Sequence, residues 1–439
     1  MKPFHLVLVN TLTVSVTNTF VWFAVTFWVY LETKSVIATS VMAGVYTITV
    51  AASGIFLGSL VDRFPKQPVM LASSLASLIF YAVALAIYLA NAPAVFTDSA
   101  QPALWGLVVV SLLGALAGNL RGIALSTLVT LLVPEPERDK ANGLVGTANG
   151  VAFMVASIFS GLAVGYLGMT WVLGLAIALT VIAILHLTTL SLRGGDAAQA
   201  STTHGGGDAI DLGGTIRAIQ VVPGLFGLIF FHTLNNLLGG VFMSLMDAYG
   251  LELVTVQVWG VLWGFLSLGF IVGGLIVARR GLGAQPLRTL FLSNIVMWSI
   301  CCVFTLQASI ELLTVGMFVW LCLIPVVEAA EQTILQHVVP VERQGRVFGF
   351  AQSVEQAATP ITAFLIGPIA EWFFIPYMTT GAGVDLLGGW FGVGVDRGLA
   401  LLFTLSGVIG LVITLIAMRT AAYRLLSDHY RKPVTVLVQ

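Results

Sequence analysis

Charged residues are scarce in this chain, where Asp, Glu, Lys and Arg make up only 9% of 439 residues. A soluble domain carries roughly 25% charged residues, so a fold whose surface lies mostly in water is excluded. Hydrophobic residues make up 58% of the chain instead. Cysteine is also rare, and Cys301, Cys302 and Cys322 all fall in apolar stretches. They are predicted to be small packing residues, and no disulfide framework is implied.

Sequence motifs of several enzyme classes are absent. The chain has no G-x-x-x-x-G-K-S/T phosphate loop, so direct ATP-driven chemistry is not expected. It has no H-E-x-x-H or paired-cysteine pattern, and its histidines are scattered. We therefore predict no enzymatic activity, no cofactor, no bound metal and no nucleic-acid partner. An intramembrane enzyme and a non-transporting membrane scaffold remain the alternative classes.

Apolar runs long enough to cross a bilayer, about 20 residues each, recur along the whole chain. Helices are the expected form, because a membrane-spanning segment must satisfy its backbone polar groups internally. The sequence therefore predicts an all-α integral membrane protein with twelve transmembrane helices. The predicted spans are 5–31, 36–61, 68–91, 104–132, 141–167, 170–192, 222–247, 255–278, 286–308, 311–338, 346–373 and 398–418.

The positive charges are distributed unevenly between the predicted loops. With the N-terminus inside, sixteen of the nineteen Lys and Arg residues lie on the cytoplasmic side, and only Lys34 and Arg397 lie outside. The remaining base, Arg121, lies within a span. Cytoplasmic loops of membrane proteins are enriched in Lys and Arg, so both termini are predicted to be cytoplasmic. The expected location is the plasma (inner) membrane, crossed many times.

The chain is predicted to consist of two pseudo-symmetric six-helix halves. The pairs Val133-Pro134 and Val339-Pro340, 206 residues apart, each follow an apolar run and precede a Glu-Arg pair. Two such repeats are a known transporter plan, with the substrate site near the midplane between them. A segment rich in Gly, Ala, Ser and Thr indicates a flexible linker, and AIDLGGTIRAIQ after it can form an amphipathic helix on the inner membrane surface. The predicted boundaries are 1–192 for the first half, 193–221 for the linker, 222–418 for the second half and 419–439 for a cytoplasmic tail.

Four charged residues inside predicted spans are the first candidates for function. Arg121 lies in span 4, Glu328 and Glu331 in span 10, and Glu355 in span 11. Adding the 206-residue repeat to position 121 gives 327, so the acids of span 10 lie near the symmetry-related position. A base in one half and acids in the other are expected of a central cavity that couples transport to protons. The alternative is that these residues form structural ion pairs.

Uncharged polar residues concentrate in spans 1 and 7 and are candidates for substrate binding. The alternative is that they hydrogen-bond between helices, as Ser, Thr and Asn commonly do in membranes. Aromatic residues, among them Trp259 and Trp263, suit either the wall of an apolar site or the membrane interface. The candidate substrate-binding residues are Asn10, Asn18 and Trp22 of span 1, His232, Asn235 and Asn236 of span 7, and Gln332 of span 10.

The polar segment GSLVDRFPK at 58–66 separates spans 2 and 3. It resembles the loop between helices 2 and 3 of the major facilitator superfamily, written G-x-x-x-D-R/K-x-G-R/K-R/K, and departs from that pattern at Pro65 and Gln67. In the family, the acid of this loop caps helix 11 and latches the two halves on the cytoplasmic side. The resemblance therefore implies the major facilitator fold and a gating motif formed by Gly58, Asp62, Arg63 and Lys66.

The same resemblance bears on two of the intramembrane charges. The family often has an arginine in this part of helix 4, linked to proton coupling, which implies that role for Arg121. Glu355 lies nine residues into span 11, so it is expected either to join the latch or to line the cavity.

Other segments resemble the bacterial drug-exporter branch of that superfamily, which includes macrolide and siderophore exporters. They are LVP at 132–134 with ANG at 141–143, GRVFG at 345–349 and GGWFGVGVDRGLALLF at 388–403. SGLAVG at 160–165 is similar to the antiporter motif of this branch but lacks its proline. The resemblance implies a secondary active transporter that works by alternating access and exports a small apolar or amphipathic compound in exchange for protons. Uptake, or transport of a lipid-like substrate, is the alternative. The expected partners are the substrate, protons and the lipid bilayer, with the protein a monomer.

Overall fold

The computed structural model describes residues 2–33, 36–190 and 212–431. These residues form helices joined by short connections, and no strand occurs among them. Twelve of the helical segments described are long and apolar enough to cross a membrane, which confirms the all-α plan with twelve spans. Residues 193–211 of the predicted linker and 432–439 of the predicted tail lie outside the described ranges.

Contacts between residues divide the chain into two compact units. The first unit contains Met1–Ala141, Ala148–Ala218 and Val339–Ser353. It therefore includes a short segment from the second half of the sequence. Its helices, wholly or in large part, are α1 (Lys2–Thr33), α2 (Val36–Arg63), α3 (Lys66–Ala90), α4 (Pro102–Leu132), α5 (Arg138–Leu162), α6 (Met169–Thr189) and α7 (Leu212–Val221).

The second unit contains Asn142–Thr147, Ile219–Val338 and Val354–Gln439. It includes six residues of α5 from the first half of the sequence. The beginning of α13, in contrast, belongs to the first unit. Its helices are α8 (Leu225–Leu253), α9 (Val256–Leu266), α10 (Leu268–Arg280), α11 (Pro286–Val303), α12 (Ile310–Val338), α13 (Val341–Ile369), α14 (Ile375–Thr379), α15 (Ala382–Phe391), α16 (Val395–Arg419) and α17 (Ala421–Arg431).

Two breaks in the helices depend on local chemistry. After α5, a short π-helical turn ends at Gly168, whose φ of 80° lies in the left-handed region that glycine adopts without strain. The predicted span 255–278 is interrupted at Ser267, between α9 and α10. The Ser267 hydroxyl donates to the backbone carbonyl of Gly264 at 2.7 Å, and such back-bonding often bends a helix.

Each unit has its own aromatic core. In the first unit, the ring of Trp28 packs edge-on against Phe96, with centroids 5.3 Å apart. In the second unit, Phe242 stacks on Phe403 at 5.0 Å and on Phe304 at 5.9 Å. Aromatic pairs at these separations add to the stabilisation from buried area.

A glycine determines how closely α12 approaches α10. Gly273 of α10 faces the backbone of Cys322 in α12, and a β-carbon at position 273 would overlap the Cys322 carbonyl group. Small residues allow helix backbones in membranes to approach in this way. The contact positions α12, which carries two of the intramembrane acids.

Candidate coupling site

Three ionisable side chains from three helices meet inside the second unit. His232 of α8 lies opposite Glu331 of α12, with Nδ1 of the histidine 3.0 Å from Oε2 of the glutamate. Glu355 of α13 completes the group, because one polar atom from each of the three side chains lies within 4.8 Å of the other two. We call His232, Glu331 and Glu355 the carboxylate–histidine cluster.

Two residues of the carboxylate–histidine cluster are buried and Glu355 is half-buried, and the polar atoms of all three are incompletely paired. His232 is 7% exposed and Glu331 is 5% exposed. Within the part of the chain that the structure describes, Nε2 of His232, Oε1 of Glu331 and Oε1 of Glu355 have no hydrogen-bond partner. A buried polar atom without a partner is unfavourable by about 1–3 kcal/mol. The cluster is therefore suited to binding a cation, and carboxylate and imidazole groups accept protons as well as divalent metal ions.

Two polar residues flank Glu331 on α12. Glu328, three residues earlier, lies on the same face of the helix and is exposed. Gln332, the next residue, is half-buried, and its Oε1 atom has no partner among the described residues. The structure thus brings three of the four predicted coupling residues, Glu328, Glu331 and Glu355, into one unit, and it adds His232, a predicted substrate ligand, to two of them.

The two predicted asparagines of α8 have different surroundings. Asn236 donates to the backbone carbonyl of Glu355 at 3.4 Å, which links α8 to α13 beside the cluster. Asn235 accepts a hydrogen bond from the Trp298 indole at 2.8 Å and donates to the Phe231 carbonyl at the same distance. Both polar ends of Asn235 are therefore engaged, as in the helix-bridging interpretation.

The fourth predicted coupling residue, Arg121, belongs to the first unit, where neutral groups hold it. Its side chain is 1% exposed. Nη1 donates to the Ser74 hydroxyl at 2.8 Å and to the Met70 carbonyl at 3.3 Å, and Nη2 donates to Oδ1 of Asn10. Asn10 in turn donates to the Ala183 carbonyl at 2.8 Å. Asn10, a predicted substrate ligand, therefore joins Arg121 to α6.

The other predicted substrate residues of α1 also contact neighbouring helices. The Tyr81 hydroxyl donates to Oδ1 of Asn18 at 2.7 Å. Trp22 packs edge-on against Phe23 and Tyr46, with centroids 5.5 Å and 5.8 Å apart. Asn18 and Trp22 are both half-buried, so each combines a packing contact with accessible surface.

The acid of the 58–66 segment lies against the beginning of α13, within the first unit. Oδ1 of Asp62 accepts the backbone N–H of Gly345 at 2.7 Å, and Oδ2 accepts that of Arg346 at 2.8 Å. The Arg346 guanidinium Nε lies 3.9 Å from the same oxygen. A helix N-terminus carries partial positive charge and free backbone N–H groups, so the beginning of α13 offers Asp62 two backbone donors.

Of the remaining residues of the predicted gating motif, Gly58 permits this contact. A β-carbon at Gly58 would overlap the backbone carbonyl of Gly345, so glycine permits the close approach of α2 and α13. Lys66 is buried, and its ammonium group donates to the Val61 carbonyl at 2.7 Å. Arg63 is exposed.

Comparison with known proteins identifies the family. A model described as the Major Facilitator Superfamily matches residues 7–363. This chain belongs to the Major Facilitator Superfamily. The match agrees with the twelve spans and indicates a transporter. It does not distinguish the exporter branch from the others, and a search of curated protein sequences finds no significant match.

Solved structures of other superfamily transporters share this fold at low sequence identity. A bacterial homologue of the iron transporter ferroportin, in an outward-facing state, superposes with a TM-score of 0.70 and 13% identity, over 96% of this chain and all of that chain. The human organic anion transporter MFSD10 gives 0.69 and 12%, over 94% and 98% of the two chains. The fucose:proton symporter of E. coli gives 0.68 and 12%, over 96% and 99%.

In the sequence, Asn142 was noted only as part of the ANG segment at 141–143. The structure shows that its side chain joins α5 to α12. Its amide donates to the Thr333 hydroxyl and to Oε1 of Gln336, both at 2.9 Å. All three residues are buried, so the bonds anchor the end of α12 beyond the cluster.

Sequence reasoning missed Asp247 as a site residue because span 7 was predicted to end there. In the structure, α8 continues to Leu253, and Asp247 accepts hydrogen bonds from the indoles of Trp259 and Trp263, each at 2.9 Å. The sequence feature that could have indicated this contact was an acid at the end of an apolar run, with two tryptophans in the next apolar run.

Replacing Asn10 tests whether its main role is to hold Arg121. Asn10→Ala leaves the buried guanidinium without one acceptor, so we expect a loss of about 1–3 kcal/mol in stability and a lower midpoint of thermal unfolding in detergent. Thr13→Ala on the same helix is the control, because the Thr13 hydroxyl bonds only within α1. Equal midpoints for the two variants, with weaker substrate binding by Asn10→Ala alone, would support the substrate-ligand interpretation instead.

Proposed function

We propose that this superfamily member is a secondary active transporter that exports a small apolar or amphipathic compound in exchange for protons. The observation that carries the proposal is the carboxylate–histidine cluster, whose two acids lie close together in a buried setting without a basic Lys or Arg partner among the described residues. Membership of the superfamily accounts for the transporter class, and the cluster is offered as the group that binds the coupling proton.

Electrostatics explains why the cluster suits protons. Two negative charges less than about 5 Å apart repel strongly where water is excluded, so Glu331 and Glu355 are not both stably ionised without a cation. A proton shared between the two carboxyl groups removes the repulsion. When access to water changes sides during the transport cycle, the same group can take up protons on one side and release them on the other.

Glu328 provides a route between this group and water. It is exposed although it lies within a span. A carboxylate facing lipid would be unfavourable by several kcal/mol, and acids within spans usually face a wet cavity. We therefore propose that Glu328 faces such a cavity and passes protons to Glu331, one helical turn away.

The proposed direction and substrate class rest on the resemblance to the drug-exporter branch. The three solved structures described above do not select a direction, because they belong to an organic anion transporter, a ferroportin homologue and a fucose:proton symporter. Uptake and lipid-like substrates are the competing proposals. Uptake predicts substrate flux in the opposite direction, and a lipid-like substrate predicts flux of phospholipids.

Replacing the buried acids tests proton coupling. The protein is reconstituted in liposomes with an imposed pH gradient, and a panel of labelled drug-like compounds is screened for gradient-driven flux. We expect Glu331→Gln, Glu355→Gln and the double variant to lose gradient-driven accumulation, because a neutral amide cannot bind and release the proton. Exchange of labelled for unlabelled substrate without a gradient should persist, since it does not require net proton movement.

The controls separate coupling from general damage. Glu311→Gln removes an exposed acid in the first turn of the same helix and should leave accumulation unchanged. Arg121→Ala is included because the family resemblance implies coupling for that residue as well. Accumulation that survives in Glu328→Gln, Glu331→Gln and Glu355→Gln, singly and combined, would rule out this proton site.

We further propose that Asp62 acts as a cytoplasmic latch through its bonds to α13. Asp62→Asn keeps the shape of the side chain but removes its charge, and one of its two oxygens no longer accepts a hydrogen bond. We expect a lower maximal rate of transport with little change in substrate affinity. The exposed acid Asp428 of α17 provides the matched control, Asp428→Asn, and equal rates for the two variants would contradict the latch.

A further inference from the structure

A cavity of about 280 Å³ lies within the first unit, between α7 and the beginning of α13. A cavity needs only about 10–15 Å³ to hold one water molecule, so this space is large enough for a small polar ligand. The lining residues are Gly214, Thr215, Arg217 and Ala218 of α7, and Arg343, Arg346 and Val347 of α13. Three of them are arginines and, among the described residues, no Asp or Glu lines the cavity. The cavity therefore presents a surplus of positive charge.

Two of these arginines keep most of their hydrogen-bonding capacity. Nε of Arg217 donates to the Gly213 carbonyl at 3.3 Å, which is a bond within its own helix. Arg343 is exposed, and its guanidinium makes no hydrogen bond or ion pair with any described residue. Glu342 precedes Arg343 in the chain but does not line the cavity. Because a guanidinium carries five N–H donors, both side chains can bind an anion without losing a partner in the protein.

The third arginine connects the cavity to the acid of the 58–66 segment. Nε of Arg346 lies 3.9 Å from Oδ2 of Asp62, and the backbone N–H of Arg346 donates to the same oxygen at 2.8 Å. Arg346 therefore belongs both to the cavity lining and to the contact between Asp62 and α13. A ligand in the cavity lies next to that contact.

Both walls of the cavity belong to segments expected at a membrane surface. Arg343 lies near the start of the span Val341–Thr379. On α7, Thr215 is buried whereas Arg217 is exposed, as expected of an amphipathic helix that lies along the membrane. Basic pockets between helices at this level bind the phosphate-bearing headgroups of lipids. The position of the cavity thus suits an anion in water as well as one at the bilayer surface.

We infer that Arg217, Arg343 and Arg346 form a binding site for a phosphate monoester, carried by a lipid headgroup or by a soluble compound. Such a group has a charge of about −1.5 to −2 and three acceptor oxygens, and guanidinium groups bind phosphate oxygens in pairs. Three arginines match this charge better than they match a single carboxylate. The bound group joins α7 to the beginning of α13. The inference concerns binding alone, so it depends neither on the proposed proton coupling nor on the direction of transport.

Two probes that carry the same phosphate monoester separate the two sources. Glycerol 3-phosphate is the soluble probe, and phosphatidic acid, which bears the same group on two acyl chains, is the lipid probe. The full-length protein is placed in nanodiscs of phosphatidylcholine alone for the first probe, and of phosphatidylcholine with increasing phosphatidic acid for the second. Equilibrium dialysis measures bound glycerol 3-phosphate, and native mass spectrometry counts bound phosphatidic acid. We expect saturable binding of at least one of the two probes.

Matched variants separate this site from the general charge of the surface. Arg217→Gln and Arg343→Gln should each lower the affinity for the bound probe about tenfold or more, because each removes charge-assisted hydrogen bonds. Arg343→Lys should lower it less, since lysine keeps the charge but not the paired donors, and it carries the comparison if the thermal midpoint shows that Arg343→Gln does not fold. Arg288→Gln is the control and should bind like the parent, because Arg288 is exposed and, like Arg343, is the third residue of its helix.

The outcomes assign the ligand or overturn the site. Binding of glycerol 3-phosphate supports a soluble phosphate ester, and binding of phosphatidic acid alone supports a lipid headgroup. Absence of saturable binding of both probes overturns the site. Unchanged affinity in Arg217→Gln combined with Arg343→Gln, or an equal loss in Arg288→Gln, overturns it as well. Normal probe binding by a protein without proton-driven flux would contradict the coupling proposal and leave this site standing.

Discussion

A charge within the hydrocarbon core of a bilayer requires a partner inside the protein, because lipid cannot solvate it. This chain meets the requirement in two ways. Arg121 and Arg397 are both nearly fully buried and each donates to several acceptors, although Nε of Arg121 has no partner among the described residues. Arg397 donates to Asp396, to the Thr305 carbonyl and to the Tyr249 hydroxyl. In the second unit, Glu331 and Glu355 lie close to each other, and each keeps one carboxylate oxygen without a partner among the described residues, which suits groups that bind a cation reversibly.

The helices that hold these acids are fixed by contacts that do not involve charge. Gly273 brings α12 against α10, and Asn142 joins the end of α12 to α5. Asn236 links α8 to the backbone of Glu355. The cluster is therefore held by rigid surroundings while its own polar atoms stay incompletely paired, so a proton can be gained or lost there with little repacking.

The sequence was sufficient for features that composition and local spacing determine. The twelve spans follow from the length of the apolar runs, and the 58–66 segment indicated the superfamily. Contacts between distant residues were not predictable: Arg121 and Asn10 are 111 residues apart, and His232 and Glu331 are 99 apart. The repeat indicated acids near the symmetry-related position of Arg121, but not that a histidine from α8 would join them. Asp247 was missed because it was the last residue of the predicted span, whereas the helix continues to Leu253.

Infrared spectroscopy of the purified protein tests the central claim most directly, because a protonated carboxyl group has a carbonyl band that an ionised carboxylate lacks. The account predicts such a band at neutral pH, and predicts that it decreases in Glu331→Gln combined with Glu355→Gln. Glu311→Gln should leave it unchanged. A spectrum without a protonated carboxyl band at neutral pH, or a band of full intensity in the double variant, would contradict a proton held by the carboxylate–histidine cluster.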